Sequence, residues 1–154
     1  MSATTPPAGS SIFSRIIRGE VPSHRVYEDD RVVAFLDVGP LSRGHMLVVP
    51  REEQARLEDL SEESAAALGR VLPRLARALM KATGCTAYNI LINNGKDAGQ
   101  VVLHVHAHII PKSSDGRGLT KEWRSSKLDP AEGAALANEL RGALAGSAAP
   151  STSA

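Results

Sequence analysis

The alternation of apolar and polar positions changes period several times along the chain, and each change marks an element. Ser11 offers a side-chain cap to a short helix whose Phe13, Ile16 and Ile17 share one face, with Gly19 and Pro22 ending it. Two short β-branched or aromatic runs follow, His24 to Tyr27 and Val32 to Asp37, separated by the turn-like Glu28-Asp29-Asp30-Arg31. Gly39-Pro40 breaks the chain, and His45 to Val49 predicts a third strand closed by Pro50. From Ser61 to Ala82, Leu68, Leu72, Leu75 and Leu79 recur at helical spacing, with Glu62 and Glu63 at the N-terminal end and Gly84 just past the other. Pro73 lies inside this long amphipathic helix and removes a backbone donor, so a kink or two helical pieces are expected there. Strands return at Ala87 to Asn93 and Val102 to Ile110, joined by a Gly-containing loop, and a C-terminal helix starts after Asp129-Pro130. Short connections between successive strands favour an antiparallel sheet of about five strands, so the fold class is α+β.

Residues 1–10 and 146–154 are Ser/Ala/Pro/Thr-rich and read as disordered tails, because they bury too little to offset the entropy of ordering. The 154-residue length then leaves one domain over 11–145, of which 112–145 is a C-terminal extension. Gly116 and Gly118 predict a flexible loop there, and Trp123 reads as surface packing rather than as a reach into a neighbouring site. A formal net charge of +1, with no block of Lys/Arg, argues against a nucleic-acid binder. A lone cysteine, Cys85, excludes an intrachain disulfide framework. The absence of a signal-like N-terminus and of any membrane-length apolar run predicts a cytoplasmic protein with no membrane partner.

The chemistry concentrates in Leu103-His104-Val105-His106-Ala107-His108-Ile109-Ile110. On a strand this spacing puts His104, His106 and His108 on one side and Leu103, Val105, Ala107 and Ile109 in the core. With five histidines in the chain, a chance His-x-His-x-His is expected only about 0.005 times, so the row needs an explanation. A solvated strand face gains little from three imidazoles that Thr or Lys would not supply. A metal site is limited by distance: positions i and i+4 of a strand lie about 13 Å apart, and no acidic residue adjoins the row in sequence. Nucleophilic attack on phosphorus suits the pattern best, since imidazole is largely neutral near pH 7 and forms a labile phosphoramidate, while flanking histidines donate protons or face phosphate oxygens. The loop Asn93-Asn94-Gly95-Lys96-Asp97-Ala98-Gly99-Gln100 supplies small residues and neutral donors beside the row, as an anion requires.

From about residue 11 to 112 the chain resembles the histidine-triad (HIT) superfamily, and especially its Hint branch of nucleoside phosphoramidases. The resemblance rests on Ile12-Phe13, Ile16-Ile17-Arg18-Gly19-Glu20-Val21-Pro22, Tyr27-Glu28-Asp29-Asp30, Ala34-Phe35-Leu36-Asp37, Gly44-His45-Met46-Leu47-Val48-Val49-Pro50, the Asn93–Gln100 loop and the triad. It implies a HIT-like fold in which His106 is the nucleophile, His108 contacts the phosphate and leaving group, and His104 with His45 completes the cluster. It also implies that Asp37 holds the ribose hydroxyls and that Phe13, Ile16, Val21, Phe35, Leu36 and Val38 line the base pocket. Asn93, Gly99 and Gln100 would then surround the phosphate. Asp37, ahead of Gly39-Pro40, also reads as a turn residue, and His24, outside every motif, reads as surface. The implied partner is a purine nucleotide substrate; a homodimer is implied too, and no cofactor is.

Two positions depart from the pattern. Many bacterial relatives hold a structural zinc where this chain has Ser11, Ser14 and Glu53, so no metal is expected. Many Hint and Fhit relatives carry Ser or Thr directly after the loop Gln, where this chain has Val101. The expected activity is AMP-releasing hydrolysis of a nucleoside 5′-phosphoramidate through a covalent nucleotidyl-histidine. The alternatives are a dinucleoside polyphosphate hydrolase of the Ap3A/Ap4A type, or a nucleotide-binding regulatory protein with little turnover.

Overall fold

The structure, a computed structural model, describes residues 10–120 and 122–147. The two tails expected at 1–10 and 146–154 lie outside the described residues, apart from Ser10, Gly146 and Ser147. Contacts divide the chain into a unit ending at Leu119 and a second beginning at Thr120.

In the first unit the elements are α1 (Ile12–Ile17), β1 (Arg25–Glu28), β2 (Val32–Leu36), β3 (Met46–Pro50), α2 (Glu62–Thr83), β4 (Ala87–Leu91) and β5 (Ala107–Lys112). The strands form one antiparallel sheet in the order β1-β2-β3-β5-β4, so the α+β class and strand count follow the sequence pattern. The unbroken apolar runs of β2 and β3 are explained by burial on both faces. Val32, Ala34, Met46 and Val48 pack under α2 against Leu68, Val71, Leu75 and Leu79. Their neighbours Val33, Phe35, Leu47 and Val49 pack against Phe13 and Ile16 of α1 on the other face. Ser11 caps α1 through Ser14 N–H, as its position suggested.

Helix α2 is a single element, not two pieces. Pro73 is exposed, and so is Gly69, whose carbonyl loses its intrahelical donor. Water can satisfy that carbonyl, and a glycine there presents no side chain in the way, so the proline is accommodated without breaking the helix. Ser61 caps the first turn and Gly84, at φ 74°, ends the last. Gly44 is required at the sheet–helix contact: with φ at 91°, a Cβ there would stand 2.7 Å from Leu79 Cδ1 and 2.9 Å from Thr83 Cγ2.

The main departure from the pattern lies before β5. The ladder begins at Ala107, not Val102, and extends to Lys112. Residues 102–106 bond elsewhere: Val105 N–H reaches the Gln54 carbonyl at 2.8 Å, and the Val102 carbonyl accepts from Gln100 Nε2 at 3.1 Å. Leu103, expected in the core, is 66 % exposed, because this segment crosses the sheet end instead of continuing the pleat. In the second unit Asp129 caps α3 (Pro130–Gly146) through Glu132 N–H, with Pro130 in the first turn. No residue of α3 is buried, and Trp123, read as surface packing, is largely exposed.

Candidate active site

Four of the five histidines meet where the start of β5 passes the start of β3. His106 and His108 rings are 4.9 Å apart, those of His108 and His45 5.2 Å, and Phe13 of α1 stands edge-on to His106 at 4.8 Å. The three histidines of the row do not share one strand: only His108 lies in β5, while His104 and His106 come from the segment before it, and His104 is completely buried, with His45 and His106 nearly so. The fifth, His24, is exposed, as its place outside the motifs suggested.

Hydrogen bonds fix which nitrogen of each ring carries the proton, because a carbonyl oxygen only accepts and an amide N–H only donates. His106 Nδ1 lies 2.7 Å from its neighbour's carbonyl, that of His104, so Nδ1 carries the hydrogen and Nε2 keeps a bare lone pair. His104 Nε2 lies 2.8 Å from the Pro50 carbonyl and is protonated in the same sense. His45 Nδ1 accepts from Leu41 N–H at 3.1 Å, which puts its proton on Nε2, 2.9 Å from His108 Nδ1. His108 is thereby left with its proton on Nε2. Burial lowers the proton affinity of all four rings, and His108, flanked by His106 and His45, is pushed down to about 4. The cluster is neutral at pH 7, with one bare nucleophilic nitrogen and one adjacent N–H donor.

A cavity of about 400 Å3 opens onto His106 and His108. Of the residues expected in it, Phe13, Ile16, Phe35, Leu36, Asp37, Val38, Asn93 and Gly99 line it. Val21 does not; it packs against the Phe13–Phe35 cluster one layer behind. Gln100 does not either: its amide accepts from Gly95 N–H at 2.8 Å and donates to the Ala55 carbonyl at 2.6 Å, bracing the loop from beneath. Asp37 is a turn residue, as its place ahead of Gly39-Pro40 suggested, and it also lines the cavity. Its Oδ1 accepts Gly39 N–H at 2.8 Å in a turn, while its Oδ2 stands 3.5 Å from His45 Nε2 at the cavity. The sequence reading missed Ile12, Pro22, Ser23, Leu47 and Val102 as wall residues; for Ile12, Pro22 and Leu47 the signal was there, within the very segments that carried the resemblance. Val101, marked only as a departure, also lines the cavity and is 90 % exposed at its mouth.

Although no acidic residue adjoins the triad in sequence, folding brings Asp37 to it, and Asp37, His45 and His108 each present a ligand-type atom within 4.8 Å of the others. The donor set does not suit a cation. A ring bound through His45 Nε2 would carry its proton on Nδ1, directly against Leu41 N–H. Nor do Ser11, Ser14 and Glu53 fit a zinc held by thiolates. Ser11 Oγ lies 2.7 Å from His104 Nδ1, Ser14 O–H donates to Glu53 Oε2, and Glu53 Oε1 accepts Ser11 N–H at 2.8 Å. These oxygens already satisfy one another.

A five-stranded antiparallel sheet carrying this histidine cluster over an apolar cavity defines a histidine-triad protein. Residues 18–115 match the HIT domain, and the chain belongs to the HIT family. It is 44 % identical over 131 residues to adenosine 5′-monophosphoramidase hnt1 of Schizosaccharomyces pombe, covering 85 % of this chain and 96 % of that protein. It is 39 % identical to adenosine 5′-monophosphoramidase HNT1 of Saccharomyces cerevisiae, covering 96 % of this chain and 90 % of that one. Among solved structures, a member of the HIT family from Bacillus subtilis superposes with a TM-score of 0.85 at 35 % identity, covering 90 % of this chain and 99 % of that chain.

Proposed function

We propose that this protein hydrolyses nucleoside 5′-phosphoramidates, releasing the nucleoside monophosphate through a nucleotidyl-His106 intermediate. The observation that carries this reading is the His106 Nδ1–H bond to the His104 carbonyl, which leaves Nε2 unprotonated and facing the cavity beside the His108 Nε2–H donor. Nε2 attacks the α-phosphorus, the bond from phosphorus to the amine nitrogen breaks, and the amine departs with a proton taken from solvent, while the neutral His108 ring keeps its Nε2–H as a hydrogen-bond donor to the phosphate oxygens. As positive charge develops on the His106 ring, its Nδ1–H bond to the carbonyl strengthens, so stabilisation grows toward the transition state. Water then attacks the same phosphorus, the His106–phosphorus bond breaks, and the proton released by water passes to solvent. Asp37 accepts the ribose hydroxyls, Phe13, Ile16 and Phe35 enclose a purine, and Asn93 and Gly99 face the phosphate. The names of the two yeast relatives support the substrate class.

The test is turnover of adenosine 5′-phosphoramidate with EDTA present, by the wild type and by His106→Ala, with mass spectrometry of acid-quenched enzyme. AMP release by the wild type alone, with nucleotide on His106, is expected; nucleotide on another residue would overturn the assignment. Faster cleavage of a dinucleoside polyphosphate than of the phosphoramidate would move the substrate class, and tight AMP binding without turnover would favour a regulatory role.

We also propose a homodimer. β4 hydrogen-bonds to β5 alone, and its outer edge carries exposed Tyr88 and Ile90. Analytical ultracentrifugation would contradict this with a monomer. Among the described residues no helix is long and apolar enough to cross a membrane. A cytoplasmic setting suits a lone Cys85 that is free, and cell fractionation tests it.

A further inference from the structure

Of the four clustered histidines only His106 and His108 line the cavity; His104 lies behind them and is the most completely buried. Both its ring nitrogens are nevertheless engaged. Nε2–H is held by the Pro50 carbonyl at 2.8 Å, so Nδ1 can only accept, and the Ser11 hydroxyl at 2.7 Å is its donor. Ser11 is itself fixed from two sides: its oxygen accepts Ser14 N–H at 3.0 Å, and its own N–H donates to Glu53 Oε1 at 2.8 Å. Glu53 Oε2 takes the Ser14 hydroxyl proton, which turns that hydroxyl away from His104 Nδ1, 3.4 Å distant, and leaves Ser11 as the donor. The main-chain carbonyl of His104 is in turn the acceptor that orients His106.

We infer that Ser11, Ser14 and Glu53 form a metal-free clamp that locks the ring of His104 and, through its carbonyl, holds the nucleophile His106 in its reactive tautomer. This rests on the assignment of His106 as nucleophile. All three are positioning residues, since none of them lines the cavity. The clamp also ties the nucleophile to the cavity wall: Ser11 is the cap of α1, and α1 carries Phe13 and Ile16. A bare buried Nδ1 on His104 would be an unsatisfied acceptor, and the ring would reach for other partners, swinging the carbonyl with it.

Two variants separate this from simple helix capping. Ser11→Thr keeps both the cap and the hydroxyl donor. Ser11→Gly combined with Ser14→Ala keeps most of the capping, because glycine is a tolerated cap, but removes every hydroxyl from His104 Nδ1. The double variant is expected to lose about 10- to 100-fold in kcat for adenosine 5′-phosphoramidate. Its KM should stay within about twofold, as for a group acting only in the transition state, with Ser11→Thr near the wild type. Imidazole 15N spectra of the free proteins should show His106 protonated at Nδ1 in the wild type and in Ser11→Thr, and a mixture of tautomers in the double variant. Glu53→Gln, which keeps an acceptor for one serine but not both, gives a second reading and should shift kcat and the spectra in the same direction by less. A double variant with wild-type kcat and an unaltered His106 spectrum would overturn the clamp. If the wild type itself does not turn over a phosphoramidate, the proposed activity fails, and the 15N spectra alone still decide whether the clamp sets the tautomer.

Discussion

Acidification probes the histidine cluster through folding stability. In the native protein His108 holds its proton affinity at about 4, first because it is buried and then because His106 and His45 crowd it. In the unfolded chain the same imidazole takes up a proton near pH 6.5. Between those values the unfolded state binds more protons than the native state, so stability that is complete above pH 6.5 drains away as pH falls toward 4. By pH 4.5 this one ring costs about 2.5 kcal/mol. The carboxylates of Glu52 and Glu53 shift the other way, held below the usual carboxylate value by serine hydrogen bonds that outweigh their burial. Their contribution is present above about 4.5 and is lost only below it, outside this window. The perturbation that isolates His108 is His108→Asn, whose amide oxygen can replace Nδ1 as the acceptor for His45 Nε2–H without titrating. Urea unfolding followed by far-UV circular dichroism at pH 7.5 and 4.5 gives the loss for each protein. The variant should lose about 2.5 kcal/mol less than the wild type. Equal losses would refute the argument that His108 is held neutral by its surroundings.

Three further outcomes follow from particular contacts. Gly44→Ala places a methyl against Leu79 and Thr83 at a backbone angle that alanine disfavours, and should cost about 2–4 kcal/mol in thermal or urea unfolding; a loss under about 0.5 kcal/mol would contradict the close approach. Pro73→Ala restores a donor toward the Gly69 carbonyl in the exposed face of α2 and should stabilise by about 2 kcal/mol, whereas any destabilisation would mean the ring packs favourably where it stands. Val101→Ser adds a hydroxyl at the cavity mouth and should raise kcat for the phosphoramidate about tenfold in steady-state assays; an unchanged kcat would show that Val101 is only wall.

The local rules were legible because they are written in adjacent residues. Ser11 and Ser61 cap the helices they precede, Gly84 ends α2, and the apolar runs of β2 and β3 are strands buried on both faces. The triad announced itself by spacing alone, and most of the apolar wall could be placed through the resemblance those segments carry. Long-range partners were not legible. Gln100 reads as a phosphate ligand in sequence but meets Ala55 from 45 positions away, and Val21 falls one layer behind the cavity. Residues 102–106 alternate like a strand, yet they bond to Gln54 and to the Gln100 side chain rather than to a neighbouring ladder.

The sequence by itself determined most of the elements, the sheet class and the candidate histidines, because periodicity, caps and residue spacing are properties of short segments. Only the tertiary structure decided which nitrogen of each ring is bare. That choice depends on single acceptors and donors supplied from elsewhere in the chain: the Pro50 carbonyl and Ser11 hydroxyl at His104, and Leu41 N–H and His108 at His45. It decided equally that Ser11, Ser14 and Glu53, which in sequence are only departures from a metal-binding pattern, satisfy one another and a buried imidazole without a metal. A hydrogen-bond network has no signature in local sequence, since its members are fixed by where the fold brings them and by how many unpaired polar groups that burial would otherwise leave.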